Sequence, residues 1–170
     1  MTEQQAYPIV SKTAEYLVKN YQIFSGIKPA ELTHVGFAIA KLESRLNPNA
    51  KNSTSTAKGI MQILDGTKKE VETKILKIPE APMSRMFDAN YNILLGMAYL
   101  AYQYTRYGMW DKAIIAFNRG HYEDSYNDSA YYLAFLSIYT NTKYLKYEKS
   151  ENNIVDKIFN FLDFTEPVWS

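Results

Sequence analysis

The sequence predicts a mainly α-helical protein, and three observations carry that expectation. Apolar residues recur at spacings of three and four, most clearly at Val35, Ile39, Leu42 and Leu46. Helix-ending signals fall between the periodic stretches, at Gly26, Asn47-Pro48 and Gly108. No two segments alternate apolar and polar residues as a convincing pair of strands would.

Taken in order, Ile9 to Phe24 reads as an amphipathic helix with Ile9, Ala14, Leu17, Tyr21 and Phe24 on its buried side and Gly26 as its end. Pro29 suits the first turn of a second helix, where its missing N–H is not needed. That helix is expected to run to about Leu46, because Asn47 precedes a proline and is pushed out of the helical region. Residues 47–58 then form a long polar loop, a length often associated with function. Short β-turn structure is expected near 51–63, and Gly59 suits a close backbone approach or a positive φ. Asp65-Gly66-Thr67 reads as a turn and the charged segment at 68–76 as a short solvated helix. Pro79 and Pro82 mark a loop, and Ser84 or Asp88 caps the next helix.

The stretch from Asp88 to Tyr107 is apolar on most of its circumference, so it is expected to be the central core helix, its aromatics needing no ligand to explain them. A short helix from Trp110 to Phe117 ends at Asn118-Arg119-Gly120. After the polar loop 121–127, Asp128 is expected to cap a helix reaching about Tyr147. Ile154 to Phe164 reads as a last amphipathic helix.

Composition removes several function classes. With 19 basic and 18 acidic residues the net charge is +1, which argues against a nucleic-acid-binding protein. There is no cysteine, hence no disulfide and no thiol chemistry. His34 and His121 are too isolated to argue for a zinc centre. No run reaches the roughly 18 apolar residues of a membrane span. The first residues do not pattern as a secretory signal.

Glu43 stands out by its position. It lies at the end of an apolar helix, facing a loop of small hydroxyl and amide side chains. Burial and the negative end of the helix dipole both disfavour its ionised form, so its pKa should rise. A carboxyl so raised can donate a proton near neutral pH, the task of a general acid acting on a neutral polar polymer such as a glycan. The competing reading is a solvated helix-end glutamate. Beyond the loop, Met61 is either plain core or an apolar floor beneath a sugar ring. Gln62 offers donor and acceptor to an acetamido group. Tyrosine faces stack on sugars, and Tyr132 is the tyrosine expected in the cleft.

Three ordered motifs resemble those of the family 1 lytic transglycosylases, which have a lysozyme-like domain and cut bacterial peptidoglycan. The first is Glu43-Ser44-x-Leu46-Asn47-Pro48-x-Ala50, then Ser53, then Ala57-x-Gly59-Ile60-Met61-Gln62-Ile63. The second runs from Asp88 through Asn92, Ile93, Gly96 and Tyr99 to Leu100. The third is Ala113 to Gly120, including Phe117-Asn118-Arg119-Gly120. The resemblance is strongest over 30–135 and implies one lysozyme-like domain with a cleft over 1–170, with flanking helices in 1–28 and 150–170. It also implies that Ser44 belongs to the site wall, that Ser53 hydrogen-bonds substrate and that Asn118 points at the cleft. Ser55 is the competitor for the role of Ser53, and a helix C-cap is the alternative for Asn118. The chain departs from the pattern in three ways. The loop has an extra residue before Ser53. Its glycines are thinned. Phe117 stands where the family has a tyrosine. Asp128 to Leu133 matches the family's later E-T-x-x-Y-V segment only weakly.

By this resemblance Glu43 would protonate the oxygen between N-acetylmuramic acid and N-acetylglucosamine. It would then, as a base, let the sugar's own C6 hydroxyl close a 1,6-anhydro ring, with no metal or organic cofactor. Two readings stay open beside it: a goose-type lysozyme that uses water and a second carboxylate, with Asp65, Glu70, Asp111 and Asp128 as candidates, and an inactive peptidoglycan-binding or assembly protein. The expected partner is the peptidoglycan glycan strand. A virion-associated phage enzyme, a component of a secretion machine or a processed bacterial protein would each bring the chain to the cell wall.

Overall fold

The computed structural model describes residues 1–126 and 129–142. Six helices dominate: α1 (Glu3–Asn20), α2 (Pro29–Ser44), α3 (Asp65–Glu70), α4 (Ala89–Tyr107), α5 (Trp110–Arg119) and α6 (Ala130–Thr142). Among the described residues the only β-structure is a pair of isolated antiparallel bridges, Lys51 to Lys58 and Lys58 to Ile63. The fold is mainly α and lysozyme-like.

α4 is the central helix. Ile93, Leu95, Met97 and Leu100 are fully buried, and α1, α2 and α5 pack around it. Each such side chain contributes on the order of 1.5–3 kcal/mol relative to exposure. Asp88 caps its start, accepting from the Asn90 and Tyr91 amides at 3.0 and 3.4 Å. Gly108, at φ 72°, ends it.

Several boundaries differ from expectation. α1 begins at Glu3, not Ile9, because Thr2 and Gln5 form a reciprocal capping box. It ends at Asn20, and Gln22–Phe24 is a separate 3₁₀ turn. α2 ends at Ser44, two residues before Leu46, because Arg45 and Leu46 both take left-handed φ values of 54° and 62°. The Ser44 hydroxyl donates to the Ile60 carbonyl at 2.7 Å and accepts from the Asn47 amide at 3.1 Å, which draws the chain out of the helix. Asp65 starts α3 instead of sitting in a turn. α5 continues through Asn118 to Arg119, and Gly120, at φ 83°, supplies the left-handed cap. The cap of α6 is Ser129, whose side chain accepts from the Tyr132 amide at 3.3 Å. Asp128, the stretch from 143 to Tyr147 and the Ile154–Phe164 helix lie outside the described residues.

The segment expected to be a solvated helix is solvated on one side only: Lys68, Val71, Glu72, Ile75 and Leu76 are buried. α3 passes into a π-helical turn at Val71–Ile75. There Lys68 and Glu72 form a buried ion pair at 2.7 Å. Glu72 also accepts from the Tyr91 hydroxyl and from the Ala81 amide. Two of the charges that suggested solvation satisfy one another inside, as a buried pair must, while Lys69 and Lys74 remain exposed as expected.

The polar loop after α2 is held to α4 by Asn92. Its side chain is fully buried and accepts from the Met61 amide at 2.8 Å. It donates to the Lys58 and Met86 carbonyls at 3.0 and 3.1 Å. Gly59 lies against this amide at φ 79°, and a Cβ there would come within 2.3 Å of both Asn92 Nδ2 and the Met86 carbonyl. Met61 rests on Gly96, where a Cβ would meet its sulfur at 2.4 Å. Replacing Asn92 by alanine strips a partner from the buried Met61 amide and Met86 carbonyl, while the Lys58 carbonyl keeps its bond from the Ile63 amide. Asn92→Ala should therefore lose about 2–4 kcal/mol, a fall in Tm of roughly 5–15 °C, measured by thermal and denaturant unfolding.

Candidate active site

The cleft has a volume of about 250 Å³ and opens where five segments converge. α2 contributes Glu43. The loop contributes Asn52, Ser55, Ala57, Gln62 and Ile63. The start of α3 contributes Leu64 and Thr67, while α4 and α5 contribute Tyr99, Phe117 and Asn118. Among the described residues Glu43 is the one carboxylate in this lining; the others are neutral amides and hydroxyls or apolar.

Glu43 sits in the last turn of α2, half-buried. Burial pushes its pKa above the ordinary glutamate value, against a smaller opposing effect from the Tyr131 hydroxyl, which donates to Oε1 at 2.7 Å. The last-turn position adds to the rise, since the helix dipole there disfavours negative charge. Tyr131 is itself held neutral, its pKa raised by burial and by the neighbouring carboxylate. The arrangement keeps a proton on Glu43 to higher pH than on an ordinary glutamate while fixing one carboxyl oxygen.

The other expected site residues divide. Gln62, Phe117 and Asn118 join Glu43 at the cleft. Gln62 takes a left-handed φ of 49°, and its side-chain amide donates to the Gly59 and Ala50 carbonyls at 2.9 and 3.2 Å. Phe117 leans on Tyr99 with ring centroids 5.8 Å apart. Ser44, Ser53, Met61 and Tyr132 are not in the lining. Ser44 spends its hydroxyl on the Ile60 carbonyl, so it anchors the loop from behind. Met61 is fully buried beneath the loop and packs on Gly96 as core. Ser53 is exposed outside the cleft and Ser55 occupies the lining instead. Tyr132 stacks on Phe135 with nearly parallel rings, at 6.3 Å.

Sequence reasoning missed two tyrosines. Tyr131 and Tyr132 are adjacent on a helix and so point about 100° apart; choosing between them needs the rotation of α6, which sequence does not carry. Tyr99 was assigned to core, and it is buried, yet it also faces the cleft. Its place three residues after Gly96, itself under Met61, was the available signal.

Of the other acids weighed as a second carboxylate, Asp65 is paired with Lys58 at 2.6 Å. Glu70 and Asp111 lie outside the lining, and Asp128 outside the described residues. Among the described residues no three His, Asp or Glu side chains converge as a metal site would require, and no helix is long and apolar enough to cross a membrane.

The raised pKa has a stability consequence. Between the ordinary glutamate value, about 4.3, and the higher folded value, the unfolded chain releases a proton that the folded chain keeps. Stability therefore falls as pH rises through that window. Glu43→Gln, which never ionises, should melt higher than the parent at neutral pH, with the gap closing below about pH 4, as read by paired thermal melts across pH.

No curated protein matches the chain. A family model described as the Transglycosylase SLT domain matches residues 14–133, more than two-thirds of the chain, and covers α2 through the first turn of α6 with every cleft segment. That family implies a transglycosylase-type enzyme whose substrate is cell-wall peptidoglycan. The chain belongs to the Transglycosylase SLT domain family.

Proposed function

We propose that the protein is a single-domain peptidoglycan lytic transglycosylase that cleaves the β-1,4 bond between N-acetylmuramic acid and N-acetylglucosamine with Glu43 as its only general acid and base. The observation that carries the reading is the lone half-buried carboxylate, with a raised pKa, in a cleft otherwise lined by neutral groups. A protonated Glu43 gives its proton to the glycosidic oxygen as the bond breaks. The substrate's N-acetyl oxygen supports the anomeric carbon, which removes the need for a second acid. The Glu43 carboxylate then takes the proton of the C6 hydroxyl as that oxygen closes on the anomeric carbon. The bond made replaces the bond broken, and water is not consumed.

The lining suits such a substrate. Asn52, Gln62 and Asn118 offer amides to acetamido and hydroxyl groups, and Leu64 with Phe117 offers apolar surface to a sugar face. The volume, about 250 Å³, lies below the ~300–1,000 Å³ of drug-sized pockets. It suits a short part of a strand whose remainder runs over open surface. Action is placed at the cell wall, and delivery there by a virion or a secretion machine fits the same reading.

Glu43→Gln should lower the rate of peptidoglycan solubilisation by ~10²–10⁴ while the protein stays folded, measured by dye release from labelled cell walls; full activity in the variant would remove Glu43 from the acid role. Tyr131→Phe tests the tuning. Loss of a hydrogen bond to the ionised form raises the Glu43 pKa further. The limb of the pH–rate profile on which activity falls as Glu43 ionises should move to higher pH.

A further inference from the structure

We infer that the ion pair Lys58–Asp65 is a positioning clasp that fixes two neighbouring cleft-lining segments against each other and thereby sets the affinity for the glycan strand. The inference rests on reading this cleft as the peptidoglycan site.

One wall is the strap formed by residues 51–56, whose side chains are all exposed. With no buried side chain of its own, the strap gains nothing from the core. Its base is closed by backbone bonds from Gly59 to Ala50 and from Asn52 to Ala57, at 2.9 and 3.1 Å. Thr56, beside that base, is tied to the neighbouring segment that leads into α3. The Lys58 ammonium donates to the Thr56 carbonyl at 2.9 Å and to Asp65 Oδ1 at 2.6 Å. The Asp65 amide donates to Thr56 Oγ1 at 3.2 Å. Asp65 opens α3, the element that brings Thr67 to the cleft with Leu64 just before it. On the strap side the flanking residues Ser55 and Ala57 line the same cleft. The clasp thus joins, at one residue, two neighbouring segments that both line the cleft.

The side chains of Lys58 and Asp65 are only 24% and 36% exposed, so solvent and salt screen them less than a freely exposed pair. Neither residue lines the cleft. Their loss should therefore change how substrate is held and leave the proton transfer at Glu43 in place.

The test uses the full chain with Asp65→Asn and Lys58→Met, which remove one charge each, and Lys58→Arg, which keeps it. Hydrogen exchange of the free proteins reads the strap directly. The amides of residues 52–57 should exchange several-fold faster in the first two variants and close to parent rates in Lys58→Arg. Co-sedimentation with purified insoluble peptidoglycan should show affinity weakened roughly two- to five-fold in the first two, the scale of a partly shielded ion pair. Initial rates should show the same factor in KM with kcat unchanged. Unchanged strap exchange in both charge-removing variants would overturn the clasp. So would a loosened strap with unchanged affinity, or a loss confined to kcat. If the parent protein releases no fragments from peptidoglycan, the catalytic reading fails separately, and exchange and sedimentation still decide the clasp.

Discussion

Asn92 has no contact with water, so every polar atom of its amide must find a partner inside the protein. It finds three backbone groups, at Lys58 and Met61 in the loop and at Met86 in the short 3₁₀ turn before α4. The site depends on this exchange. The outer run of the loop after α2 is exposed and gains nothing from the core, so the loop's backbone donors and acceptors must find partners. One amide on the central helix ties two of them, at Lys58 and Met61, to the core, and bonds within the loop meet others. Gly59 and Gly96 then let the loop approach α4 closely enough for Met61 to seat. Gln62 and Ile63, which follow directly, are thereby carried to the cleft.

The second constraint is electrostatic. α2 must end where it does for Glu43 to stand at the cleft, and it ends through two consecutive left-handed residues, Arg45 and Leu46, neither of them glycine. Such conformations are costly and persist where surrounding structure imposes them. Here Ser44 does so, by tying the helix end to the Ile60 carbonyl. α6 then closes over the carboxyl with Tyr131. Burial raises the pKa of Glu43 and the phenol partly restrains that rise, a balance suited to a group that serves as acid in one step and base in the next.

Much of this was legible in the sequence because it follows from local rules. Helical periodicity, Pro29 at a helix start and glycines at helix ends located α2, α4 and α5 to within a few residues. The acid at the end of α2 and the lone-carboxylate chemistry were approached from Glu43 and its motif. What escaped was decided by tertiary contacts. Charges on 68–76 looked solvated because sequence does not tell that Lys68 and Glu72 face each other in the interior. Ser44 and Met61 carry the motif's pattern, but their work is behind the cleft, anchoring and seating the loop. Tyr131 was hidden by its neighbour Tyr132, since one residue of helix rotation separates the hydroxyl at the acid from a ring stacked on Phe135.

The central claim is that one carboxylate, Glu43, does all the proton transfer and that the sugar's own hydroxyl, in place of water, closes the reaction. The most direct measurement is mass spectrometry of the fragments released from purified peptidoglycan, parent protein beside Glu43→Gln. The account predicts 1,6-anhydromuramyl ends from the parent and none from the variant. Fragments heavier by one water, with reducing ends, would contradict it and require a second carboxylate at the cleft.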